Sequence, residues 1–311
     1  MKFPFRFVST AYKLLMKKIM THLLAAFFLL FVFFHLSAQT NEARTFHFTS
    51  PHTSFPDTGR AKGHVYDSVL YDAATHYNDS SVLVLVPPHF APSKKVDLVF
   101  WFHGWRNNID TAIVFYELGK QFINSQSNAV LVMAETAKNS PDSYGGKLEQ
   151  PGTFSLLVTD VLNQLKQRKV IPAKATAGTI ILAGHSGGYR VMAKILQNGN
   201  LPVHKVFLFD ALYANDSEYM NWIRQSERTP LEDAKNVFVD LYTDGGGTDK
   251  LTMEFMEQLK ADNIPFLKRE ETELTDDDLK SNRLIFIHSV REHNYIINNP
   301  DNFQRFLMMT R

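Results

Sequence analysis

From Ser81 onward, seven short apolar runs alternate with segments of helical period: Val82–Val86, Val96–Phe102, Ala129–Met133, Thr179–Ala183, Lys205–Phe209, Val237–Tyr242 and Leu284–Ile287. Most are continuous rather than alternating, the pattern of strands buried on both faces, as in a parallel sheet. Between them, Phe154, Leu157, Val158, Val161, Leu162 and Leu165 recur at spacings of three and four, which makes one apolar stripe on a helix that ends before Pro172. Further helices are expected at Tyr189–Leu196, Ser217–Ile223, Leu251–Leu259 and Asp301–Met308. Strand and helix in alternation predict a doubly wound α/β fold, a mostly parallel sheet with helices on both faces. The polar stretch 41–78 has room for a first antiparallel strand or two, and the acidic stretch 270–278 reads as a solvated loop or helix surface.

The first 38 residues differ in kind. Lys13, Lys17 and Lys18 precede an apolar run from Leu23 to Phe34, and Ser37-Ala38 stand before Gln39. A bilayer-spanning helix wants about 20 apolar residues, so this layout predicts a signal peptide over 1–38, removed from one domain over 39–311 that is exported to the periplasm or beyond the cell, with no stable membrane anchor left behind. Met16 and Met20 are alternative starts. With no cysteine, an exported chain depends on core packing alone. Basic and acidic residues number 33 and 32, with no clustered basic face, which argues against nucleic acid as a partner.

The chemistry is expected at Gly184-His185-Ser186-Gly187-Gly188, between the run ending at Ala183 and the helix opening at Tyr189. A strand leading into GxSxG and a helix leaving it describe a nucleophile elbow, with the serine on a strained turn and glycines where strand and helix come too close for side chains. The bland alternative is a glycine-rich turn with a capping serine. A serine nucleophile needs a base. Among twelve histidines, His293 follows the last strand and precedes the final helix. His288 lies within an apolar run and reads as packed or hydrogen-bonded, and elbow geometry turns His185 away from the serine.

The base needs a carboxylate, and two compete. Asp244 follows the run Val237–Tyr242 in a glycine-rich loop and is preferred. Asp210 ends the preceding run and has the alternative use of capping a helix or holding a loop; Asp240 lies inside its strand. The oxyanion donors are expected to be the backbone N–H groups of Gly187 and of Trp105, the latter after the strand-ending His103-Gly104.

These parts, in this order from Val82 to the final helix, resemble the α/β-hydrolase superfamily. Phe102–Asn107, Asp142–Glu149 and Phe209–Tyr213 are similar to a group of exported bacterial members. The resemblance implies a Ser-His-Asp hydrolase, and the setting of Asp210 keeps it open as the acid. Between Tyr213 and Asn236 there is room for one helix, so little or no lid is expected and the site is open. A rim of His103, Trp105, Arg106, Asn107, Asn108, Tyr144 and Tyr189 suits a small-molecule or carbohydrate-linked ester. A serine mechanism needs neither metal nor organic cofactor. Competing readings are a peptidase or acyltransferase on the same fold, and a noncatalytic binding protein that retains it.

Overall fold

The computed structural model describes Met16, Lys17, Met20 and residues 42–229, 236–245 and 247–309. The chain divides into Met1–Glu42 and Ala43–Arg311; the signal segment expected over 1–38 lies, but for three residues, outside the described ones. Among the described residues no helix is long and apolar enough to cross a membrane.

Among the described residues eleven strands follow in chain order: β1 Arg44–Thr49, β2 His64–Tyr66, β3 Val69–Tyr71, β4 Ser81–Val86, β5 Lys95–Phe102, β6 Ala129–Ala134, β7 Thr176–His185, β8 Lys205–Phe209, β9 Val237–Thr243, β10 Leu267–Glu270 and β11 Leu284–Ser289. Nine of them make one sheet in the order β1-β4-β6-β5-β7-β8-β9-β11-β10, and β2 with β3 forms a separate hairpin. All seven anticipated runs are strands of this sheet. From β6 to β10 neighbours run parallel, while β4 is antiparallel to both β1 and β6. Val82–Val86 is nonetheless buried throughout, because cover on both faces, not strand direction, sets the composition of a strand.

Strand residues alternate between two cores. Val96, Leu98, Phe100 and Phe102 of β5 join the helices Thr153–Gln167, Tyr189–Asn198, Asp216–Glu227 and Asp249–Ala261 on one face. On the other face Val99 and Trp101 meet Ile109–Phe115, Leu118–Asn124, Asp276–Ser281 and Asn302–Met308. The stripe on Thr153–Gln167 is buried at all six of its apolar positions, each worth about 1.5–3 kcal/mol. In the connection from β8 to β9 the described residues hold one helix, Asp216–Glu227.

The stretch 270–278 is exposed at Thr272, Glu273, Thr275, Asp276 and Asp277, the solvated loop and helix surface expected of it, with one departure. Glu270 ends strand β10, and Glu271 is buried, its carboxylate accepting from Ser289 Oγ at 2.6 Å, Asn302 Nδ2 at 2.6 Å and Arg291 Nε at 3.1 Å. A lone buried carboxylate is costly; three donors offset the cost, and in doing so tie the end of β11 to the start of the last helix.

Candidate active site

Strand β7 runs into Ser186, whose φ of 52° lies in the left-handed region. That conformation costs a residue with a side chain about 1–2 kcal/mol. The helix Tyr189–Asn198 leaves at once, so the backbone turns back close to β5. A Cβ on Gly188 would sit 2.7 Å from the Phe102 carbonyl oxygen, a separation only glycine tolerates. Across the turn, Gly104 follows β5, and a Cβ there would lie 2.7 Å from Ser186 Cβ and 3.2 Å from its hydroxyl. The backbone at Gly104-Trp105 therefore borders the serine directly. The Trp105 indole lies against Gly187 and donates from Nε1 to Ser143 Oγ at 2.7 Å.

His293 and Asp210 are brought together: His293 Nδ1 and Asp210 Oδ2 are 2.6 Å apart. Asp210 follows β8 with a φ of 48°, and its side chain is fully buried. The carboxylate also accepts from Thr243 Oγ1 at 2.7 Å, from Thr243 N at 3.2 Å and from Thr248 Oγ1. Burial alone would push its pKa up, but the hydrogen bonds from His293, Thr248 and Thr243 outweigh that and leave it below the usual carboxylate value. The carboxylate is an anion held for one imidazole.

Asp244, the preferred partner of His293 in the sequence, is a correction. Its exposed carboxylate lies 2.9 Å from His288 Nε2, while His288 Nδ1 meets Glu270 Oε2 at 2.6 Å. The reason is register: His288 stands opposite Tyr242 on the paired strands β11 and β9, so the loop after β9 meets the end of its neighbour rather than the later loop of His293. Burial opposes protonation of His288, yet the two carboxylates raise its pKa.

His185 does more than turn aside. Its buried ring lies 4.4 Å from that of His293, and Nε2 is 3.0 Å from the His293 carbonyl oxygen. A carbonyl only accepts, so Nε2 carries the proton and Nδ1 accepts from the Tyr116 hydroxyl at 3.0 Å. Burial first, and the neighbouring His293 next, push its pKa down to about 3, which keeps it neutral. The Tyr213 phenol is partly exposed beside the pair, with its ring 6.3 Å from that of His293.

His103 is not on the rim. It is buried, with Nε2 2.6 Å from Glu135 Oε1 and Nδ1 2.8 Å from the Gly104 carbonyl oxygen. Burial disfavours its charge, but the Glu135 carboxylate and the Gly104 carbonyl prevail and raise its pKa. The pair clamps the turn after β5 to the end of β6. Of the other rim residues, Arg106 is exposed and Asn107 and Tyr189 are half-buried. Tyr144 is engaged on all sides: its hydroxyl donates to Asp57 Oδ1 at 2.8 Å, and the Arg60 and Arg190 guanidinium groups lie 4.5 and 5.2 Å from its ring centre. Glu135, Tyr116 and Tyr213 escaped the sequence reading. Glu135 left a signal, an acid closing a wholly apolar strand beside the His-Gly turn.

No family model matches the chain, and no curated protein matches it in sequence. Solved structures match it in fold. One described as a ferulic acid esterase is 12% identical, with 87% of this chain and 97% of that chain covered and a TM-score of 0.51. A serine-to-alanine mutant of the feruloyl esterase module from Clostridium thermocellum, complexed with sinapinate, is also 12% identical, with 86% and 88% covered and a TM-score of 0.51. Identities this low speak of architecture alone, and together with the sheet order and the elbow they establish that the chain has the α/β-hydrolase fold.

Proposed function

We propose that the protein is a serine hydrolase cleaving carboxylic esters through an acyl-enzyme. The observation that carries this reading is the 2.6 Å bond from a fully buried aspartate to His293, in a protein whose only described serine with a left-handed backbone inside a GxSxG turn is Ser186. In the proposed mechanism Asp210 holds the proton of His293 on Nδ1, so Nε2 is the free base. Nε2 takes the Ser186 proton as Oγ attacks the ester carbonyl. The oxyanion that forms is met by the backbone N–H groups of Gly187 and Trp105. His293 then returns the proton to the departing alcohol, and water repeats the sequence on the acyl-enzyme.

With one described helix between β8 and β9, the reading is of a site with little lid, which favours a small-molecule or carbohydrate-linked ester over a long-chain triglyceride, and the two feruloyl esterases that share the fold are in keeping with that. The reading includes export: the segment over 1–38 is proposed to be cleaved near Gln39, leaving a periplasmic or extracellular domain. N-terminal sequencing of the native protein checks this, and retention of residues 1–38 in a membrane fraction refutes it.

The experiment for the chemistry is labelling with a fluorophosphonate probe, followed by a panel of acetyl, short-acyl, feruloyl and peptide substrates. Ser186 is the expected adduct site, and Ser186→Ala is expected to cost on the order of 10⁶ in turnover while folding normally. A folded Ser186→Ala protein with wild-type rates overturns the proposal.

A further inference from the structure

The hairpin β2–β3 stands outside the nine-stranded sheet and is closed by Asp67 and Ser68, with φ of 48° and 63°. Two left-handed residues make the tight primed turn that matches strand twist. Its register pairs Tyr66 with Val69, Val65 with Leu70, and His64 with Tyr71. Opposed residues share a face and neighbours alternate, so Tyr66, Val69, His64 and Tyr71 lie on one side and Val65 and Leu70 on the other. The first side faces the protein: Tyr71 packs beside Phe55, Tyr77 and Ala137, and the Tyr66 ring lies 5.2 Å from that of Trp105 at 74°.

Yet this inward side is only half covered. Tyr66, Val69 and Trp105 remain 38%, 52% and 43% exposed. Trp105 in turn lies against Gly187, the residue after Ser186, with its Nε1–H committed to Ser143. An apolar surface thus leads from the serine across a fixed indole to a phenol set edge-on to it, and ends at a valine. Two aromatic rings nearly at right angles offer both a face and an edge, and offset-stacked or edge-to-face contact is what a further aromatic ring prefers. From this we infer that the β2–β3 hairpin is a specificity element, and that Tyr66 and Val69 with Trp105 form a subsite for an aromatic ring of the ester. The inference rests on the esterase reading above and adds to it the place where the substrate is recognised.

The test compares esters that differ only in the ring. Methyl benzoate and benzyl acetate, which carry it on the acyl and the alcohol side, are measured against methyl acetate with wild type, Tyr66→Ala, Val69→Ser and Tyr66→Phe. Tyr66→Ala is expected to leave kcat/KM for methyl acetate within about twofold. It should lower kcat/KM for at least one aromatic ester about three- to tenfold, chiefly through KM, the range a lost aromatic contact implies. Val69→Ser should act in the same direction, and Tyr66→Phe, which keeps the ring, should restore the ratio. An equal fall for all three esters in well-folded Tyr66→Ala and Val69→Ser proteins, or no fall, overturns the subsite while leaving the hydrolase reading standing. If wild type hydrolyses none of the esters and Ser186 takes no fluorophosphonate, both are overturned.

Discussion

Replacing Asp210 by Asn separates the two candidate acids more sharply than any other change. The side chain is fully buried and meets four donors: His293 Nδ1, the Thr243 amide, and the hydroxyls of Thr243 and Thr248. A carboxylate accepts them all. An amide has one oxygen and one NH2 group, so one of two conflicts follows. With its NH2 group toward His293, the new amide forces the imidazole into the tautomer protonated on Nε2, which cannot take a proton from the serine. With the oxygen there, the NH2 group confronts the Thr243 amide and the Thr248 hydroxyl. The first arrangement spares the protein a buried donor clash, so turnover should fall by about 10⁴, equivalent to about 5.5 kcal/mol on the barrier. Stability should fall by roughly 1–3 kcal/mol for the impaired hydrogen bonds. Asp244→Asn is the control: its side chain is 73% exposed and serves His288, so kcat should stay within about twofold of wild type. Steady-state kinetics on an ester, scaled to the folded fraction by thermal melting, measures both. A folded Asp210→Asn enzyme retaining a tenth of the activity, or an Asp244→Asn enzyme that loses most of it, refutes the assignment.

Gly104→Ala places a methyl group 2.7 Å from Ser186 Cβ and should lower kcat by about 10² or more through displacement of the oxyanion donors; near wild-type kinetics would show that the loop yields freely. His185→Phe keeps a ring against His293 but loses the Nε2–H bond to its carbonyl, so kcat should fall about three- to tenfold with KM unchanged, and a change confined to KM would contradict the role. Asp240 is fully buried, accepts one bond from Thr252, and is pushed up to about 7, by burial first and by Asp210 as well. A raised acid favours folding only while protonated, so its contribution is full below the unfolded value near 4 and is lost as pH rises to about 7. Relative to Asp240→Asn, wild type should therefore lose on the order of 4 kcal/mol between about pH 4 and about pH 8, and parallel urea-unfolding curves across that range would refute it.

The strands were legible because a strand buried on both faces has no room for polarity, and all seven apolar runs named from Ser81 onward are strands. Strand β10 was not, since Leu267-Lys268-Arg269-Glu270 lies at the sheet edge where charge is tolerated and even protective. The elbow was legible because its glycines answer a steric demand that local sequence must meet. The acid was not. Asp210 and Asp244 both close strands, and the choice depends on which loops are neighbours in space: β11 inserts beside β9, so His288 takes Asp244 and leaves Asp210 to His293. The burial of His103 was equally hidden, because it depends on Glu135, 32 residues away at the end of β6.

Glu271 gives the molecule a form of self-timing. The segment bearing the proposed base runs from Ser289 to Asn302, and both ends are held by that one carboxylate. Serine, the proposed oxyanion turn and aspartate all come earlier in the chain, so in the proposed mechanism the nucleophile gains its base only once β11 and the last helix are joined through Glu271. Ester hydrolysis is then expected to report on the docking of the final segments, and a chain nicked between Ser289 and Asn302 is expected to lose the proposed activity while β4 to β9 still pair.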